Sequence, residues 1–234
     1  MFVMELAGVR MRIENRFEYV EKQCRAYVCE EGEVAFSVAV TEEEIAEEQK
    51  NGDFSAAYCE SICIYRHICE QLAVHNVFLM HSSVLEVDGY AYAFTAKSGV
   101  GKSTHTRLWL KNVPHARVLN GDKPLYRLEP DGSVTVFGTP WNGKENWGEK
   151  LSAPLAAVCF IERGAENSIR RAEEFEAVGR LAHQLYLRGN RTLVNRQLAL
   201  MDGLVRAVPY YVLACTISDE AALLSYKTLS TCQK

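Results

Sequence analysis

Residues Tyr90–Leu110, YAYAFTAKSGVGKSTHTRLWL, read as a strand, a glycine loop and a helix in immediate succession. The apolar, β-prone run Tyr90–Thr95 leads into Ala96, and Thr104–Leu110 can continue as a helix. Between them, Gly99 and Gly101 let the backbone curl without a Cβ clash. The amides of residues 98–103 can then converge on phosphate oxygens at a helix N-terminus, with Lys97, Ser98, Gly99, Val100, Gly101, Lys102, Ser103 and Thr104 as the candidate nucleotide-binding set. In such a loop Lys102 reaches the β- and γ-phosphates and the Ser103 hydroxyl holds Mg²⁺. The stretch therefore predicts a phosphate-binding P-loop.

The segment in front of it decides which kind. Val84–Val87, Asp88-Gly89 and Tyr90–Phe94 form a hairpin signal, because Asp-Gly suits a two-residue type I′ turn. The strand entering the loop then pairs antiparallel with its predecessor. Common P-loop ATPases and GTPases use parallel βαβ units, so an α/β fold with a mixed sheet is expected. Further on, the sequence predicts a strand at Arg117–Asp122, a hairpin over Leu125–Phe137 and an ordered loop at Gly138–Gly148. A buried strand at Leu155–Ile161 and helices over 173–188 and 192–207 follow, then the strand Tyr210–Ala214 and a final helix capped by Ser218. Ahead of the hairpin, residues 1–55 read as a small α+β lobe with strands near Arg10–Ile13 and Val34–Val40. Its one acidic helix is opened by a Thr41/Glu44 capping box. A longer helix over 55–75 opens the larger domain, 56–234.

The chain has 234 residues and a net charge of −4, with no Lys/Arg-rich run, which disfavours nucleic acid and anionic membrane as partners. Its N-terminus is too polar for a secretory leader and no stretch approaches a transmembrane span, so a cytoplasmic protein is expected. Of its eight cysteines, Cys59 and Cys63 share a helical face with His67. A metal site is one reading, and reduced core thiols are the preferred one.

Around the phosphates, Asp122 at a strand end is placed to bind Mg²⁺ or to accept a proton from an attacking hydroxyl; a plain turn aspartate is the alternative. Lys144 and Glu145 form a second charged cluster beside Trp141 and Trp147. Glu145 is a candidate metal ligand and Lys144 a candidate phosphate contact. His81 ends an apolar strand and is read either as structure or as part of the site. His105 and Arg107, on the loop's helix, are read as nucleotide contacts or, preferably, as facing solvent; Arg163 is read as a phosphate contact or, preferably, as a strand-end turn residue.

The pattern His81-Ser-Ser-Val, Asp88-Gly, Ala96–Thr104 and Leu119-Asn-Gly-Asp122 resembles the kinase domain of HPr kinase/phosphorylase, over roughly residues 77–165. The resemblance implies a P-loop fold shared with phosphoenolpyruvate carboxykinase, with ATP and Mg²⁺ as cofactors. It also implies that His81 joins Lys102 and Asp122 as a catalytic group. In that family an aspartate pair occupies the strand end; Asp122 matches one member and Gly121 replaces the other. The family's metal-binding glutamate falls on Glu145, giving Ser103, Asp122 and Glu145 as metal ligands. The loop Gly138-Thr-Pro-Trp141 with Gly143-Lys-Glu145 is similar to that of shorter relatives of unassigned substrate. The function implied is a kinase passing the γ-phosphoryl group to a hydroxyl, on a small metabolite or on a serine of a protein or peptide. A nucleotide-binding switch acting through a partner is the alternative. Further copies of the chain are also an expected partner class.

Overall fold

The computed structural model describes residues 1–233 and divides into two compact units, one from Met1 to Val77 and one from Phe78 onward. The first runs β1 (Phe2–Leu6), β2 (Val9–Glu14), α1 (Glu18–Cys24), β3 (Phe36–Ala39), α2 (Glu42–Gln49) and α3 (Ala56–Leu72). β1 and β2 pair antiparallel, and β3 joins β2 in parallel. Thr41 and Glu44 close the capping box in both directions, at 3.2 and 2.9 Å. α3 packs on α1 and α2, so this helix, expected to open the larger domain, belongs to the first unit. β1 and α1 were not legible as elements. Cys59 and Cys63 are buried core thiols on α3, and His67 pairs with Glu44 at 2.7 Å.

The second unit is carried by one mixed sheet of nine strands. It begins within β4 (Val77–Leu79) and continues through β5 (Ser83–Val87) and β6 (Tyr90–Thr95) to α4 (Lys102–Asn112) and β7 (Arg117–Asn120). Then come β8 (Leu125–Leu128), β9 (Val134–Phe137), β10 (Ser152–Arg163), β11 (Ser168–Arg171), α5 (Glu174–Leu181), α6 (Arg191–Ala207), β12 (Tyr210–Cys215) and α7 (Asp219–Leu229). The order is β4-β8-β9-β10-β6-β5-β7, with β12 on β10 and β11 on β12. β10 takes three partners along its length: antiparallel β9 at Ser152–Pro154, parallel β6 at Leu155–Phe160, and parallel β12 from Val158. Sharing one long strand among three lets the sheet curl.

The hairpin into the loop forms as its sequence predicts. β5 and β6 pair antiparallel, and Asp88 and Gly89 both take positive φ, at 51° and 88°, as a type I′ turn requires. Alternation along β6 then sorts the core by size. Ala91 and Ala93 join the cluster of Phe160, Tyr126, Leu181, Leu200 and Leu204, which α5 and α6 cover. Tyr92 and Phe94 face Trp109, Ala222 and Leu229, under α4 and α7. Helices on both faces hold the loop-bearing strand in the middle of the unit.

One expected helix is cut short. The pattern over 173–188 predicts continuous helix, but α5 ends at Leu181. Beyond it the chain pairs with the end of β4: His81 N–H donates to Gln184 O at 2.8 Å, and Tyr186 N–H donates to Leu79 O at 3.1 Å. Leu185 N–H still reaches Leu181 O at 3.0 Å, but the bonds of Gln184 O and Tyr186 N–H to the strand end stop the helix from continuing. β11 is likewise an addition, an edge strand whose exposed Ser168 and Arg170 gave no apolar run. No helix among the described residues is long and apolar enough to cross a membrane.

Candidate phosphate-binding site

The loop after β6 is held open by its glycines. Gly99 has φ of 78° and Gly101 of 136°, conformations that side-chain-bearing residues avoid. α4 starts immediately at Lys102, and its first turn is closed by His105 N–H donating to Gly101 O at 2.9 Å. The helix is anchored from below: Trp109 Nε1 donates to Ser225 Oγ at 2.8 Å, and Thr106 bonds Ser83 of β5 at 2.8 Å. Lys102 folds back so that Nζ donates to Ala96 O at 2.9 Å. Burial pushes its pKa below the ordinary lysine value, with the Asp122 carboxylate opposing that shift. The ammonium's hydrogen bond is to a neutral carbonyl, so only the Asp122 charge works against its desolvation.

The facing wall is built by the end of β7. Buried Asn120 donates Nδ2 to Thr139 O and Oγ1, at 3.2 and 3.0 Å. Its Oδ1 accepts from the amides of Asp122 and Lys123, at 2.9 and 2.8 Å. This turn fixes the direction in which Asp122 leaves the strand. Asp122 O in turn accepts from Ser82 N–H at 3.1 Å, and His81 O accepts from Thr95 Oγ1 at 2.8 Å. Both backbones being pinned, His81 Nε2 meets Asp122 Oδ1 at 2.6 Å. Lys123 Nζ sits 2.9 Å from Asp122 Oδ2.

Burial alone would raise the Asp122 pKa. The hydrogen bond from His81 and the charge and hydrogen bond of Lys123 outweigh it and hold the carboxyl well below the usual carboxylate range. Asp122 is therefore ionised at neutral pH. An ionised carboxylate only accepts hydrogen bonds, so His81 Nε2 carries the proton between them.

Gly121 explains its own identity. Its N–H donates to Trp147 O at 2.8 Å. A Cβ there would lie 2.8 Å from Asn142 O and 3.2 Å from Trp147 O. The 138–148 loop thus closes over the strand end, and no second carboxylate fits beside Asp122 with the loop in this place. At Gly143, φ is 85° and a Cβ would come 2.8 Å from that of Asp122. This close approach brings Lys144 and Glu145 to the site. Glu145 pairs with Arg107 of α4 at 2.9 Å, and the Arg107 guanidinium lies 5.2 Å from the centre of the Trp147 ring.

A cavity of about 380 Å³ collects these groups. His81, Lys102, Ser103, Asp122, Lys144 and Glu145 all line it, with Ser98, Gly99, Gly101 and Thr104 as its loop wall. Lys97 and Val100 do not; they line a separate cavity on the α5 side of the loop. His105, expected in solvent, is 3% exposed. Its ring bonds Ser225 at 3.1 Å and packs edge-on to Phe94, and burial lowers its pKa to about 4, so it is neutral. Arg107 is exposed, but it braces Glu145 instead of pointing free. Arg163, expected in a mere turn, donates Nη2 to Gly99 O at 2.8 Å and so touches the loop itself. No spacing rule links residues 64 positions apart. Lys123 was also missed, although its place beside Asp122 and before Pro124 marked a rigid turn.

No protein-family model and no curated protein matches this chain. Among solved structures, the Hpr(Ser) kinase/phosphatase from Coxiella burnetii is similar over 65% of this chain and 88% of that one, at 11% identity and a TM-score of 0.37. A likeness at that level assigns no chemistry to this chain.

Proposed function

We propose that this chain is a nucleotide-dependent phosphotransferase of the HPr-kinase-like, mixed-sheet P-loop type, passing the γ-phosphoryl group of ATP to a hydroxyl. The observation that carries this reading is the cavity in which a glycine loop and Lys102 face an ionised Asp122 bonded to His81. The loop amides and Lys102 bind the β- and γ-phosphates. Lys144, exposed at the cavity rim, adds positive charge where the γ-phosphate would lie.

Mg²⁺ suits the donor set, which is all hard oxygen: the Ser103 hydroxyl and the Asp122 and Glu145 carboxylates. Among the described residues no three acidic, histidine or cysteine side chains cluster as a ready metal cage. Mg²⁺ in nucleotide sites relies on one or two carboxylates, waters and the phosphates themselves. Bound there, the ion would neutralise charge on the phosphates.

In the transfer, the acceptor oxygen bonds to the γ-phosphorus as its bond to the β,γ-bridging oxygen breaks, releasing ADP. The hydroxyl proton passes to Asp122. The transition state is loose, so positioning outweighs basicity. A carboxylate pinned by His81 and Lys123 and kept ionised suits the aiming of a hydroxyl better than its early deprotonation.

The acceptor is a small hydroxylated metabolite or a serine in a protein or peptide. Purified protein with Mg-ATP and a panel of such acceptors, free serine included, should release ADP in an acceptor-dependent manner. Asp122→Asn should lower that rate by about 10²–10⁴-fold. A second reading, a nucleotide-binding switch with little turnover, draws on Gly121, which leaves the site a single strand-end carboxylate. Tight Mg-ATP binding without any acceptor-stimulated release would favour the switch.

A further inference from the structure

The cavity on the α5 side of the loop has a volume of about 530 Å³ and shares no lining residue with the phosphate cavity. Its floor is apolar, from Ala96, Val100, Phe160 and Ile161, and its charged lining is Lys97, Glu162, Arg163 and Arg180. The Glu162 carboxylate is already taken, by Arg180 at 2.7 Å. Arg180 is held a second time by Glu176 at 2.8 Å, with its guanidinium 5.4 Å from the centre of the Phe160 ring. The other two cations are left without an anion. Arg163 is engaged through Nη2 with the Gly99 carbonyl alone, and the Lys97 ammonium meets no carboxylate or carbonyl among the described residues. Two unbalanced cations over an apolar floor suit a small molecule that brings its own negative charge.

The inner end of this cavity lies against the proposed transfer site. Thr95 lines it and donates Oγ1 to His81 O at 2.8 Å; Gln184 lines it and accepts from His81 N–H at 2.8 Å. Lys97 lines this cavity while its chain neighbour Ser98 lines the phosphate cavity, so one turn of the loop separates the two. Resting on the phosphotransferase reading, we infer that the α5-side cavity seats the acceptor, a small molecule carrying an anionic group close to its hydroxyl. The anion rests on Lys97 and Arg163, and the hydroxyl reaches past Ser98 to the γ-phosphate. The acceptor oxygen then takes the phosphoryl group, ADP leaves, and the hydroxyl proton goes to Asp122. Gly179 opens the wall for such a ligand. It stands inside α5, where alanine would favour the helix, and a Cβ built there meets no atom within 4 Å. Packing does not call for this glycine; the space in front of it belongs to the cavity.

Calorimetry on the full chain, loaded with Mg²⁺ and a non-hydrolysable ATP analogue, tests this with four probes: glycerate, glycerol 3-phosphate, glycerol and a capped serine peptide. At least one of the two anions should bind about tenfold or more tightly than glycerol and the peptide, through charge-assisted hydrogen bonds. Glycerate ahead assigns a carboxylate, and glycerol 3-phosphate ahead a phosphate ester. Gly179→Leu should fill the cavity and weaken the preferred anion by about tenfold or more, while the analogue binds within about twofold of wild type. With Mg-ATP the same variant should raise KM for the anion more than it lowers kcat. Lys97→Ala, which leaves α5 untouched, should bring the anion down toward glycerol and decides the matter if Gly179→Leu misfolds. The inference is overturned if neither anion binds, if glycerol or the peptide binds as well, or if both variants spare the anion. ADP release with the peptide and with neither anion overturns it while the phosphotransferase reading stands. Anion binding that Gly179→Leu abolishes, with no ADP release for any acceptor, sinks that reading and the acceptor role with it.

Discussion

Lys102 is the residue on which the loop's chemistry turns. Its ammonium is half-buried against the Ala96 carbonyl, and burial lowers its pKa while Asp122 raises it. In the proposed site the charged form is the one that would bind phosphate, so affinity should be full below that pKa and decline as pH rises through it. Tripolyphosphate affinity should therefore begin to fall at a pH below the ordinary lysine range. Lys102→Arg stays charged and should show no such alkaline decline. Calorimetry across that range decides it; a flat wild-type profile, or the same decline in the arginine variant, contradicts the assignment. That Lys102 and Ser103 line the cavity was legible because the loop is local: a few consecutive residues make its wall. Asp122 was legible as a carboxylate at a strand end. Its bond to His81 was not, since 41 residues separate them and only the shared anchoring through Ser82 and Thr95 brings them together.

At the scale of elements, the site depends on how closely the 138–148 loop lies on the end of β7. Gly121→Ala tests that packing, because a Cβ at 2.8 Å from Asn142 O must push the loop away. The predicted outcome is a loss of about 1–3 kcal/mol in stability, by overpacking. A larger proportional loss should appear in acceptor-dependent turnover, as Lys144 and Glu145 move off the cavity. Thermal denaturation and ADP release measured on the same variant separate the two; unchanged turnover would detach this loop from the site. The β5–β6 hairpin was readable because Asp88-Gly89 specifies its own turn. The end of α5 was not, because propensity favours helix through residue 188 while backbone bonds to Leu79 and His81 claim Gln184 and Tyr186. β11 escaped notice for the opposite reason, an exposed edge strand having no apolar pattern to announce it.

In the whole molecule, every residue of the proposed site lies in the unit from Phe78 onward, with the loop strand supported by cores on both faces. Ligand binding to the native state stabilises by about 2.7 kcal/mol at a hundredfold excess over Kd. That stabilisation should be visible in hydrogen exchange of the full chain. Mg-ATP should slow exchange in residues 96–106 and 119–123 and leave amides of Met1–Val77 as they were; protection centred on the first unit would move the site elsewhere. The mixed sheet was legible from one hairpin, whereas the division of the chain was read at residue 55 and falls at Val77. α3 is apolar enough to suit either unit, and only its packing on α1 and α2 assigns it. The central claim is that the loop and the His81–Asp122 pair form one phosphoryl-transfer site. A crystal structure with Mg²⁺ and a non-hydrolysable ATP analogue tests it most directly. The account predicts the γ-phosphate in the cavity between Lys102 and Asp122, with Mg²⁺ on the Ser103 hydroxyl. A triphosphate seated away from the loop, or a γ-phosphate turned away from Asp122, would contradict it.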